Sequence, residues 1–271
     1  MRKVVLIFIL IFFSLSIFSQ SENNGNFQFL TGYYNDIYRQ PTTRNYHVFH
    51  SGFGYKGNLT AIYGKVNLGY KNTAFNDVTT RDQHNVQLEL DYWQSLSESK
   101  STAFWLNYAY GLDDFFPNHR IIFELWQQLG AGFLVSGGVN YYQFSESNAI
   151  FVNGGLEKYF GRHWIEGKTY LYLKEPNVTA TYGLKWRMFF QDINFLEVGL
   201  SAGSAQDEPF ILESNLARRF AYTGKLRYVT NIFNNRMRIS GSFAYMYEEY
   251  QPDVWRNRYS LGVGLIVNIT K

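Results

Sequence analysis

Apolar and polar positions alternate along most of this chain, in stretches of about ten residues, which is the signature of β-strands half facing an apolar medium. The last stretch shows it best. Tyr259, Leu261, Val263, Leu265, Val267 and Ile269 fall on one face, and Ser260, Gly262, Gly264, Asn268 and Thr270 fall on the other, with Ile266 the exception. Between residues 177 and 189, Val178, Ala180, Tyr182, Leu184, Trp186 and Met188 oppose Thr179, Thr181, Gly183, Lys185 and Arg187. Similar segments run near 86–93, 102–110, 133–144, 164–174, 193–203, 217–229 and 237–247, with weaker ones near 27–34, 45–55, 59–70, 120–128 and 149–159. The pattern predicts fourteen strands, or twelve if two weak segments merge.

The links between these segments carry a second pattern. Even-to-odd links are short, as at 56–58, 129–132, 160–162, 191–194 and 233–235. Several odd-to-even links read as long loops: 35–44, 71–84, 111–119, 205–215 and 249–258. The links at 145–148 and 175–177 are short, against that trend. Short turns on one side and long loops on the other describe an outer-membrane barrel, and an even strand number puts both ends on the short-turn, periplasmic side. Lipid offers the backbone no hydrogen bonds, so a sheet in it must close on itself. The expected fold is all-β: one antiparallel up-and-down transmembrane barrel. Tyr33, Tyr34, Tyr108, Tyr110, Tyr141, Tyr142, Tyr245 and Tyr247 are candidates for the headgroup belts.

Composition supports this. Aromatics reach 19 % and charged residues only 17 %, against roughly 25 % charged in a soluble domain. A disordered chain lacks such aromatics, and no segment after the first twenty residues is apolar and long enough for a transmembrane helix. Cysteine is absent, which excludes disulfides and thiolate metal sites. Arg2 and Lys3 precede an uncharged run from Val4 to Phe18, so residues 1–20 read as a signal peptide and 21–271 as the barrel. Without Arg2 and Lys3, the 25 basic residues fall to 23 against 22 acidic, and nucleic acid is not implied as a partner.

The C-terminal strand carries Ser260, Gly262, Leu265 and Val267, spaced like the assembly signal of outer-membrane barrels. The central stretch resembles the YaiO-type outer-membrane β-barrel family. Phe116-Pro117-Asn118-His119-Arg120 and Ser136 to Phe144 (SGGVNYYQF) carry the likeness. So do Gly154 to Gly161 (GGLEKYFG), Trp164, and Arg187 ahead of Phe189. The resemblance implies an outer-membrane barrel of largely unestablished function. Some members carry helical-repeat extensions of the kind seen in surface-polysaccharide machinery. It implies no catalytic residues.

Charges on the polar faces are the candidate functional residues. Alternation places Glu166, Lys168, Lys185, Arg187, Glu197, Arg219, Lys225, Arg227 and Arg238 inward, with Lys65, Glu89, Asp91, Arg120, Glu124 and Glu157 on earlier strands. An Arg or Lys in the lipid-facing band costs about 2–4 kcal/mol. Two readings stand: a basic wall of Arg219, Lys225, Arg227 and Arg238 that attracts anionic solutes, or a structural set of ion pairs. Five histidines, His47, His50, His84, His119 and His163, show no metal-binding spacing. His50 and Ser51, being adjacent, face opposite sides of a strand. Gly130-Ala131-Gly132 marks a hairpin turn, and the acidic-then-apolar run 207–212 sits in a long loop that either folds inward or lies on the surface.

The expectation is a non-enzymatic barrel without cofactor or metal, forming a narrow pore or a component of surface-polysaccharide export. Its partners would be the lipid bilayer, lipopolysaccharide and the outer-membrane assembly machinery. The alternatives are a barrel enzyme acting on lipid or lipopolysaccharide, and a soluble secreted β-barrel binding protein.

Overall fold

In the computed structural model, fourteen antiparallel strands close into one barrel, each paired with its chain neighbours and β1 with β14. The structure describes residues 25–269 except 40–42, 76–78, 113–115, 146, 175–176, 191–192, 205–219, 234 and 252. The strands are β1 (Asn26–Arg39), β2 (Thr43–Lys56), β3 (Thr60–Phe75), β4 (Thr79–Ser95), β5 (Thr102–Gly111), β6 (His119–Gly130) and β7 (Phe133–Gln143). They continue with β8 (Asn148–Phe160), β9 (His163–Lys174), β10 (Asn177–Phe189), β11 (Phe195–Gly203), β12 (Phe220–Ile232), β13 (Met237–Gln251) and β14 (Val254–Asn268). The expected signal peptide lies outside the described residues.

Closure satisfies the backbone: every strand has a partner on both sides, so no edge meets lipid. The outward face is the apolar one. Leu106, Ile121, Phe123, Val139, Leu184 and Leu261 stand on it, each more than a third exposed. In a soluble protein such a surface would be a liability, and here it is the lipid contact. Ile266 interrupts the pattern because it faces inward, opposite the equally inward Leu30.

Of the tyrosines expected in the belts, Tyr33, Tyr108, Tyr110, Tyr245 and Tyr247 face outward and are exposed. Tyr34 and Tyr142 do not. Each follows an outward tyrosine, and adjacent strand residues point to opposite faces, so both turn into the lumen. There Tyr34 accepts a bond from Arg258, and Tyr142 is buried.

The turns after the even-numbered strands are short, and the N-terminal end of β1 lies beside the C-terminal end of β14, Gln28 opposite Asn268. The turn Ala131-Gly132 has φ of 48° and 78°, the two-residue hairpin form that needs left-handed residues. On the other side the structure differs from the sequence reading. Segments 35–44, 71–84 and 249–258 are mostly strand, not loop: β1 and β2 run on to Arg39 and Thr43, β3 and β4 to Phe75 and Thr79. On these extensions the outward positions turn polar, as at Asn35, Arg39, Asn45, His47 and Asn257, so alternation fades. The widest spacings between described strands lie between Gly111 of β5 and His119 of β6 and between Gly203 of β11 and Phe220 of β12.

Candidate functional site: the barrel lumen

Strand register sorts the predicted charges. Lys185 sits opposite Glu166, Arg187 opposite Trp164 and Glu197, and Arg227 opposite Glu197. Lys168, Lys225 and Arg238 share this inward face. Arg219 and the run 207–212 lie outside the described residues.

Most inward charges pair, with partners on the adjacent strand or up to three strands away. Lys168 pairs with Glu124, Lys185 with Glu166 at 2.6 Å, and Arg187 with Glu197, its Nε donating at 2.9 Å. Trp164 Nε1 donates to Glu157 at 2.9 Å. The densest network spans β3 to β6. Lys65 reaches Glu89 at 2.8 Å and Asp91 at 2.5 Å, and Arg120 Nη2 reaches Glu89 Oε1 at 2.9 Å. Asn107 donates to both carboxylates at 2.8 Å and accepts from Arg120 Nε at 3.0 Å. Charges taken out of bulk water need such partners, and these residues have them.

The basic side of the wall is different. Among the described residues, neither Arg227 nor Arg238 has a carboxylate within ion-pairing distance. Arg238 Nε donates to Asn231 Oδ1 at 3.3 Å, and the Arg227 guanidinium lies 5.8 Å from the Phe195 ring centre while remaining exposed to the lumen. Lys225 joins Lys168, Lys185, Ser201 and the carboxylate of Glu166 around a cavity of about 80 Å³.

At the extracellular end of the lumen, Asp36, Arg256 and Arg258 lie in segments that the sequence reads as loops. Asp36 pairs with Arg258 and accepts from Ser260 Oγ, and Arg256 pairs with Glu248 at 2.6 Å. The guanidinium of Arg256 stands 4.4 Å from the ring centre of Tyr38, a cation–π contact. Phe116, from the connection between β5 and β6, tucks against Tyr38, Tyr46 and Val48 and is almost fully buried. A second inward cluster joins Tyr142, Phe144 and Phe151. Aromatic packing thus narrows this end. Continuing the strand parity of β1 and β14 outward from the membrane would have exposed Asp36, Arg256 and Arg258 as inward.

The opposite end opens into a cavity of about 500 Å³, lined by Gln28, Lys56, Asn231, Arg238 and Asn268 among others.

The histidines scatter. His50 faces inward and Ser51 outward, while His47, His84, His119 and His163 face out. Tyr33 and Asn35 bond the Nδ1 of His47, and Tyr108 bonds that of His119 at 2.9 Å. Among the described residues no histidine bonds a serine, so no nucleophile–base pair forms there.

A family model described as YaiO membrane beta barrel domain matches residues 26–208. No curated protein matches the chain. Among solved structures, the outer membrane protein Omp33 of Acinetobacter baumannii is 12 % identical, with 90 % of this chain and 99 % of that one covered and a TM-score of 0.49. The translocator domain of the autotransporter NalP from Neisseria meningitidis is 14 % identical, with 99 % and 98 % covered and a TM-score of 0.48. OccK7 of Pseudomonas aeruginosa is 10 % identical, with 90 % and 98 % covered and a TM-score of 0.46.

Proposed function

Starting from a chain that belongs to the YaiO membrane beta barrel family and closes as a barrel of the bacterial outer membrane, we propose a non-enzymatic, narrow conduit that favours anionic solutes. The observation that carries this reading is the basic side of the lumen. Arg227 and Arg238 point inward with no carboxylate partner among the described residues, and Lys225 lies on the same wall. Fixed charge in a confined aqueous path concentrates counter-ions and biases which ions pass. The paired charges of β3 to β11 stiffen the rest of the wall. The aromatic packing around Phe116 sets a narrow extracellular end. Closure within the membrane and the outward histidines favour this reading over a soluble binding protein or a lipid-modifying enzyme.

Planar-bilayer recording across a potassium chloride gradient tests it. The reversal potential should report anion preference, and the double substitution Arg227→Gln, Arg238→Gln should move it toward zero. A purified, folded barrel with no conductance at any voltage overturns the conduit.

A further inference from the structure

The short-turn end of the lumen holds three tryptophans that neither lipid contact nor core packing explains. Trp93, Trp105 and Trp126 belong to β4, β5 and β6, and register places all three on the inward face: Trp93 pairs with Trp105, and Trp126 with the inward Ala103. Their indoles stack, Trp93 on Trp105 with centres 5.3 Å apart and planes at 14°, and Trp93 on Trp126 at 5.3 Å and 21°. Trp105 Nε1 donates to Asp91 at 2.9 Å, which fixes the stack against the mid-barrel network. Belt tryptophans anchor a barrel by facing the headgroups, and these face away from them. Trp93 is 39 % exposed, so the stack leaves aromatic surface open to the water of the lumen.

Trp93 lines a cavity of about 310 Å³ together with Lys56, Gly57 and Tyr63. Lys56 and Gly57 also line the 500 Å³ cavity at the same end, so the two cavities share a wall. A chain of hydrogen bonds joins them: Tyr63 donates to Gln28 at 2.8 Å, and Gln28 to Asn268 at 2.7 Å. The larger cavity is a carboxamide surface, with Gln28, Asn231 and Asn268 beside the cations of Lys56 and Arg238.

An aromatic platform next to planar amides suits one kind of ligand. The C–H faces of a pyranose ring are weakly positive and meet the negative face of an indole. Its hydroxyls need donors and acceptors close together, and the Gln28 and Asn268 amides, each with one N–H and one carbonyl lone pair held in protein bonds, keep a second of each. Two cations at the same mouth add a preference for negative charge. We infer that the periplasmic mouth of this barrel is a binding site for an acidic oligosaccharide, stacked on the Trp93 platform and held at its polar edge by the Gln28 and Asn268 amides with Lys56 and Arg238. The inference deepens the conduit reading, on which it rests for what happens next, by naming what the mouth accepts.

Calorimetric titration of the full chain in lipid nanodiscs tests it, with hexagalacturonate as the acidic probe and maltohexaose as the neutral one. Hexagalacturonate should bind saturably and at least tenfold more tightly than maltohexaose. Trp93→Ala should weaken it tenfold or more while the barrel keeps its heat-dependent gel shift, and Trp93→Tyr should restore part of the loss. The site is overturned if neither sugar gives saturable heat, if Trp93→Ala binds like the parent, or if both sugars bind equally. Conductance on the same preparation separates the two readings. A conducting barrel that binds neither sugar keeps the conduit and removes this site; a silent barrel that binds hexagalacturonate does the reverse.

Discussion

One residue of this barrel has two very different environments to choose from, and the strand decides which by parity alone. Arg120 faces inward, is almost fully buried, and is held by Glu89 and Asn107. Arg120→Met removes one member of that network and leaves Lys65 as the cation on Glu89 among the described residues. Breaking a buried pair from one side costs about 3–5 kcal/mol, so the urea midpoint of the folded barrel in lipid should fall by a corresponding margin. Leu261 sits midway along β14 on the outward face, half exposed. Leu261→Arg should cost about 2–4 kcal/mol in the same assay, as expected for a cation near the bilayer midplane. The same substitution at Gly262, one residue on, would reach the lumen instead. At this scale the sequence was highly legible. Parity alone put Glu166, Lys168, Lys185 and Arg187 on the wall where they are found. It could not say which cations would find a carboxylate, because pairing reaches across strands, as Lys168 does to Glu124, and needs the register that only the closed sheet supplies. The tryptophan stack was missed for the same reason: Trp93, Trp105 and Trp126 are far apart in the chain and meet only through register.

Elements were legible where lipid enforces a contrast between faces. Fourteen strands and their short turns follow directly from it. The contrast ends at the edge of the hydrocarbon, and there the reading failed in a definite way. Asn35-Asp36 and Glu249 fall in segments that read as loop because the outward positions there are polar, yet they continue β1 and β13. Turns follow local backbone chemistry and were easier. In the Ala131-Gly132 hairpin, a Cβ on Gly132 would come within 2.5 Å of the Tyr159 carbonyl oxygen, on top of the positive φ. Gly132→Val should therefore destabilise the barrel by more than the roughly 1–2 kcal/mol of the left-handed backbone itself. The chemical-denaturation midpoint should show this, with Gly161→Val as the comparison, since there a Cβ meets nothing within 4 Å.

At the scale of the whole molecule, the barrel behaves as one closed object. A sample kept at room temperature in detergent should migrate differently on a gel from a boiled one, because a closed sheet with no edge resists unfolding. A band that does not shift would contradict closure. The seam where β14 meets β1 is secured by side chains as well as backbone, with twelve residue pairs in register and Asp36 tied to Arg258 and Ser260. Asp36→Asn weakens that tie without changing its size.

That seam bears on how the chain gets to its final state. Thirteen of the fourteen strand interfaces join chain neighbours, and one joins the two ends. The thirteen are local and form quickly as successive hairpins, whereas the last must bring together strands more than two hundred residues apart and pays its loop entropy at once. Until it forms, β1 and β14 are bare edges, open to pairing with another unfinished chain. Asp36 is therefore placed to speed a kinetic bottleneck. In Asp36→Asn, the heat-shifted band should appear more slowly during refolding into vesicles, with more aggregate, even where the final yield of folded barrel is nearly unchanged.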